Sequence, residues 1–133
     1  MWFRRSKNPR PNSIRIYYIN LDSRPDRKQA IDLELSKLPL AAKRVVATDK
    51  TVFASSFPVL ITDGAWACLH SHLSAWKLFL KTNEQFAIIS EDDAVIDNSS
   101  LVMKSIHAGI DNDLDLLQIG FLQNNLRERI DTF

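Results

Sequence analysis

The chain has 133 residues, 45% hydrophobic and 25% charged, with a formal net charge of +1. That length and balance suit one modest globular domain with a real core, and the near-neutral charge argues against a nucleic-acid binder or a polyanion. No apolar run is long enough to span a membrane, Met1-Trp2-Phe3 is followed by charge rather than by a secretory core, and the lone Cys68 excludes an internal disulfide and suits a reducing compartment.

Residues 1–13 read as a basic flexible tail. Arg4, Arg5, Lys7 and Arg10 carry charge without an acid among them, and Pro9 and Pro11 discourage regular structure. With Trp2 and Phe3, this segment would lend a weak attraction to an anionic membrane surface. Folding is expected to begin at Ile14, with a strand Ile14-Arg15-Ile16-Tyr17-Tyr18-Ile19 broken by Asn20-Leu21-Asp22-Ser23. Pro25 suits the first turn of a helix that Asp22 or Ser23 would cap. Ile31, Leu35 and Leu38 give that helix one apolar face, and Pro39 ends it.

A second strand is predicted over Lys43–Ala47, closing on Thr48-Asp49, then a loop over residues 50–63 that contains Pro58. The strongest helix signal runs from Ala65 to Lys81, where Trp66, Leu69, Leu73, Trp76 and Leu80 form a stripe that reads as core. A strand Phe86-Ala87-Ile88-Ile89-Ser90 follows, then a helix near Ser99–Ala108 and a strand Leu114–Ile119. Strands alternating with helices imply an α/β layer fold with a largely parallel sheet. Residues 121–133, with Arg127-Glu128-Arg129, read as a polar end.

Chemistry concentrates where the third of these strands runs into Glu91-Asp92-Asp93. A buried strand cannot carry three carboxylates at its tip unless cations, hydrogen bonds or water receive them. In extended backbone Glu91 and Asp93 share one side and Asp92 takes the other, so an acid-x-acid pair could offer oxygens to a hard cation such as Mg²⁺ or Mn²⁺. The plain alternative is a solvated acidic turn. Ligands of open α/β sheets gather at the carboxyl ends of the strands, and three such ends are polar here: Asn20-Leu21-Asp22, Thr48-Asp49 and Glu91-Asp92-Asp93. Arg24 and Arg27 follow the first, and arginine suits bidentate contact with phosphate. The combination suggests a nucleotide-diphosphate ligand. His70 and His72 lie two apart on a helix and face differently, which argues against a zinc site shared between them. Cys68 reads as packing.

These residues resemble glycosyltransferase family 25, which includes bacterial lipooligosaccharide galactosyltransferases and the animal procollagen galactosyltransferases. The resemblance rests on Ile16-Tyr17-Tyr18-Ile19-Asn20-Leu21-Asp22 with Arg24, Asp26 and Arg27. It continues through Leu60-Ile61-Thr62-Asp63-Gly64-Ala65-Trp66-Ala67-Cys68-Leu69-His70-Ser71-His72 and Ile88-Ile89-Ser90-Glu91-Asp92-Asp93-Ala94. It covers residues 14–120 and implies the donor-binding part of a GT-A-like, Rossmann-like sheet with flanking helices, incomplete at this length. It further implies a UDP-sugar donor (galactose or glucose), a lipooligosaccharide or LPS-type glycan or glycolipid acceptor, and a divalent metal, Mn²⁺ or Mg²⁺. Glu91 and Asp93 would hold the metal, Asp93 most directly. Asn20, Leu21, Asp22, Arg27, Asp49, His72 and Asp92 would lie by the nucleotide sugar. The bacterial branch places such a protein in the cytoplasm, at the inner membrane face.

The sequence departs from the family's pattern at Ala65, where Glu is usual, at Ala67, where Gly is usual, and at Lys50, where Gly commonly follows the acid matched by Asp49. No catalytic base can be named. Two other readings are open: a truncated glycosyltransferase that at most binds nucleotide sugar, and a metal-dependent phosphohydrolase with Asp22 as nucleophile.

Overall fold

In the computed structural model, residues 2–4, 10–53 and 62–120 are described. Among these described residues five strands form one sheet: β1 (Trp2–Arg4), β2 (Arg10–Asn20), β3 (Ala42–Val46), β4 (Glu84–Glu91) and β5 (Leu116–Leu117). Three helices flank it, α1 (Pro25–Leu35), α2 (Asp63–Leu80) and α3 (Ser99–Asp111), with a 3₁₀ turn over Lys50–Phe53. The order across the sheet is β3-β2-β4-β1-β5. β2 lies parallel to both β3 and β4, while β1 runs antiparallel to β4 and β5. The expected α/β architecture, a small parallel sheet flanked by helices, is therefore present, consistent with a Rossmann-like fold.

The amino-terminal segment departs from the expected tail. Trp2–Arg4 pairs with β4, and β2 begins at Arg10 rather than Ile14. Strand pairing satisfies backbone groups whatever the side-chain charge, and a register shift between Arg10 and Ile14 accommodates Pro11, which has no N–H to give to the ladder. The expected strand Leu114–Ile119 contracts to Leu116–Leu117. The polar end at 121–133 and most of the 50–63 loop, including Pro58, Leu60 and Ile61, lie outside the described residues.

Both faces of β2 are covered, which is why its Ile16-Tyr17-Tyr18-Ile19 segment is apolar without alternation. On one face Tyr17, Ile19, Val45, Ala87 and Ile89 pack against Ala75 and Phe79 of α2. Phe79 meets Tyr17 edge to face, with ring centroids 6.3 Å apart. On the other face Ile16 and Tyr18 pack against Ile31, Leu35, Leu38 and Ile96. Full burial of a side chain such as Ile31 or Phe79 contributes about 1.5–3 kcal/mol. The face α2 turns inward is Ala67, Ser71, Ala75 and Phe79, at i, i+4 spacing. The Trp and Leu stripe is displaced from it: Leu69 and Leu80 are exposed, and Trp66, Leu73 and Trp76 are half-buried. Small side chains let a helix axis approach the sheet, and bulk is pushed to the flanks.

Local chemistry explains the helix ends. Thr62 caps α2 by accepting from Ala65 N, and Asn98 caps α3 by accepting from Leu101 N. α1 starts on Pro25 with Arg24 at the cap position and no side-chain cap; Asp22, expected as a cap, is turned to Arg44 instead. α1 ends at Leu35, ahead of Pro39. Glu34 accepts from Ile96 N (2.6 Å) and Lys37 Nζ donates to Ile96 O (3.1 Å), so the segment after β4 is tied down onto α1.

Candidate functional site

Asn20 is the joint on which the site is built. It closes β2 and is 1% exposed. Its Nδ2 donates to Arg24 O (3.0 Å) and to Asp92 Oδ2 (2.7 Å), and its Oδ1 accepts from Arg44 Nε (2.9 Å). Its backbone carbonyl accepts from Ala47 N (3.0 Å) and Arg44 Nη2 (3.2 Å). One buried amide thus fixes the start of α1, the end of β3 and the turn after β4. Only a side chain with both donors and an acceptor can do this; a carboxylate would face Asp92 with like charge.

Asp92 is held from two sides. Besides Asn20, Arg27 Nη1 donates to its Oδ1 at 3.1 Å, and its side chain is 11% exposed. Asp93 takes no part. β4 ends at Glu91 and residues 92–93 form a turn. The alternation that pairs Glu91 with Asp93 holds only in extended backbone. The turn therefore sends Asp92 to the Asn20 joint and leaves Asp93 exposed, outside the cavity lining.

A cavity of about 390 Å³ opens at these strand ends. Asn20, Leu21, Arg24 and Arg27 line it from the β2–α1 side, Thr48, Asp49 and Lys50 from the end of β3, and Glu91 and Asp92 from β4. Cys68, Ser71 and His72 of α2 form the opposite wall. Of the residues singled out in the sequence, Asn20, Leu21, Arg27, Asp49, His72, Glu91 and Asp92 share this cavity; Asp22 and Asp93 do not line it. Asp22 is exposed and pairs with Arg44 Nη2 at 2.7 Å. Asp49 Oδ1 accepts from Thr51 N (2.9 Å) and Thr51 Oγ1 (2.8 Å), bonds that hold its carboxyl below the ordinary range.

The α2 wall is chemically mixed. His72 Nε2 lies 3.3 Å from Glu91 Oε1, and this contact with the His72 ring holds the Glu91 carboxyl below its usual value. Desolvation of the sulfur, then the Glu91 charge, push the Cys68 thiol up. Ser71 Oγ donates to Ala67 O (2.7 Å) and accepts from Thr48 N (2.9 Å), fastening the end of β3 to α2. His70 points elsewhere, with Nδ1 2.7 Å from Thr48 Oγ1. The two histidines do face differently.

Sequence reasoning assigned no role to Arg44 or Ser71 and read Cys68 as packing, whereas Cys68 is exposed and lines the cavity. Arg44 had a signal, a cation that with Lys43 precedes the apolar Val45-Val46 of its strand. Cys68 and His72 had another, the i, i+4 spacing that puts two side chains on one helix face. Ser71 had the polar position in an otherwise apolar i, i+4 row.

A model of glycosyltransferase family 25 (LPS biosynthesis protein) matches residues 13–130. No curated protein and no solved structure matches the chain.

Proposed function

The chain belongs to glycosyltransferase family 25, and from that premise we propose that its cavity receives the donor of a hexosyl transfer, UDP-galactose or UDP-glucose, for passage to a lipooligosaccharide or LPS-type glycan. The observation that carries the reading is the shared hollow: the Asn20 turn and the Glu91-Asp92 tip, 72 residues apart at the Asn20–Asp92 bond, face one cavity at the carboxyl ends of parallel strands. The volume suits part of a nucleotide sugar.

In this reading Arg27, with Arg24 and Lys50 beside it, faces the diphosphate. Arg27 is 43% exposed at its side chain, so it can share its guanidinium between Asp92 and a phosphate oxygen. Asn20 orients the Asp92 carboxylate, and His72 orients that of Glu91. Asp49 is the carboxylate placed for ribose or base. Glu91 and Asp92 both bring carboxylate oxygens to the lining, the ligand type a hard divalent ion such as Mn²⁺ or Mg²⁺ takes, and Glu91 is the more accessible of the two because both Asp92 oxygens already accept, from Asn20 and Arg27. When bound, such an ion neutralises charge on the departing UDP. Asp93 would join only by turning inward. A phosphohydrolase with Asp22 as nucleophile is disfavoured, because Asp22 is paired with Arg44 outside the cavity. The cytoplasmic face of the inner membrane is the placement that goes with an LPS acceptor; among the described residues no helix is long and apolar enough to cross a membrane.

Calorimetry with UDP tests the donor site. Binding that Arg27→Ala and Asp92→Ala each weaken by about tenfold or more is expected from the loss of a charge-assisted contact. Binding indifferent to both substitutions overturns the reading. Titrations with and without Mn²⁺, on Glu91→Ala and Asp93→Ala, then separate the two carboxylates as ligands. Release of UDP from UDP-galactose with a lipooligosaccharide acceptor tests turnover; binding without it leaves a donor-binding remnant.

A further inference from the structure

We propose that Cys68, His72 and Glu91 form a three-ligand site for a borderline divalent cation of the zinc class, with its remaining position open to the cavity. The three side chains offer one sulfur, one nitrogen and one oxygen, and these atoms all lie within 4.8 Å of one another. They come from two elements that the fold already holds together: Cys68 and His72 sit one helical turn apart on α2, and Glu91 closes β4. The His72 Nε2 to Glu91 Oε1 separation is 3.3 Å. Tetrahedral zinc with bonds of about 2.0–2.2 Å to nitrogen and oxygen sets those two atoms about 3.3 Å apart, so that edge of the polyhedron is already formed.

The donor set decides the class of ion. Thiolate and imidazole favour zinc over Mg²⁺ or Mn²⁺, which prefer oxygen. This site is therefore distinct in chemistry from the oxygen-only pair Glu91 and Asp92, although Glu91 borders both. Three protein ligands with an open fourth position match a zinc centre that takes water or a ligand atom, rather than a closed structural one. Coordination releases the Cys68 thiol proton to solvent. The proposal does not depend on sugar transfer, because it concerns metal binding alone.

Cobalt is the probe. The chain has a single cysteine, so a sulfur-to-cobalt charge-transfer band in the near ultraviolet can arise only from Cys68. Titrating the metal-free full chain with Co²⁺ should give that band at one ion per chain, and Zn²⁺ should bleach it while Mg²⁺ should not. Cys68→Ser should remove it. His72→Gln and Glu91→Gln should each weaken Co²⁺ by about tenfold or more, a loss at least as large as that on changing a residue that only supports a ligand. His70→Gln should leave it in place. Circular dichroism confirms that each variant is folded. Absence of the band, one ion per two chains, or a band indifferent to both His72→Gln and Glu91→Gln overturns the proposal.

Discussion

β4 carries a glutamate at each end, and the two have opposite fates. Glu84 opens the strand and is 4% exposed, with Oε1 accepting from Arg15 Nε at 2.9 Å. Burial alone would raise its pKa, but the Thr82 hydroxyl, its own backbone N–H and the Arg15 charge outweigh that and hold it below the ordinary value. Glu91 closes the strand with 56% of its side chain exposed, in 3.3 Å contact with His72 where both line the cavity. Both pair with β2, opposite Arg10 and Ile19 respectively. Residue type and strand are the same, so what differs is the end of the sheet. At the amino end Arg15 and Thr82 close over the carboxylate, and the charge serves the fold. At the carboxyl end the chain departs into α1 and the 92–93 turn, a hollow remains, and the charge faces whatever enters it.

Substitution can break this contrast. The largest effect is expected at the sealed end: Glu84→Ala leaves Arg15 without its carboxylate and should cost about 2–4 kcal/mol, below the range for a fully buried pair because Arg15 is partly exposed. Urea unfolding reads it, and the folded fraction should keep its UDP affinity. Asp92→Ala comes next, at about 1–3 kcal/mol, since it removes a charged acceptor from both Asn20 and Arg27; here stability and UDP affinity should fall together. Glu91→Gln should change the unfolding free energy read from urea curves by no more than about 0.5 kcal/mol, because an exposed pair contributes little, while Co²⁺ affinity falls. A large stability loss at Glu91, or none at Glu84, would erase the distinction between the two ends.

Acid sharpens it further. Glu84 is held below the ordinary glutamate value of 4.5, so its contribution is fully present above that pH and is lost as pH falls through the lower folded value. Stability measured downward from pH 5 should decline, and Glu84→Gln should flatten the part of the decline below pH 4.5. Glu91 is shifted the same way by His72, but its exposure makes its share of the slope the smallest effect predicted here.

Much of the architecture was legible because apolar runs and breakers agree locally: Pro25 starts α1, Ala65–Leu80 lies within α2, Phe86–Ser90 within β4 and Ser99–Ala108 within α3. The strand ends named the site's neighbourhood for the same reason, since Asn20, Asp49 and Glu91 interrupt apolar segments. Three features were hidden. That Asp92, and not Asp93, meets the Asn20 joint and lines the cavity depends on where β4 stops being extended, and a period-two rule is silent on that. The buried face of α2 depends on how closely the helix approaches the sheet, which favours Ala67 and Ala75 over Trp66 and Leu69. Trp2–Arg4 joins the sheet through backbone pairing, which composition does not reveal.

The two hydrogen bonds of the Ser71 hydroxyl have a mechanical consequence. They rivet the end of β3 to the helix that bears Cys68 and His72, so those two walls travel as one jaw. With α1, β3 and the 92–93 turn joined at Asn20, room for an arriving ligand comes most cheaply from a side chain, Arg27, which hangs on Asp92 by a single 3.1 Å bond.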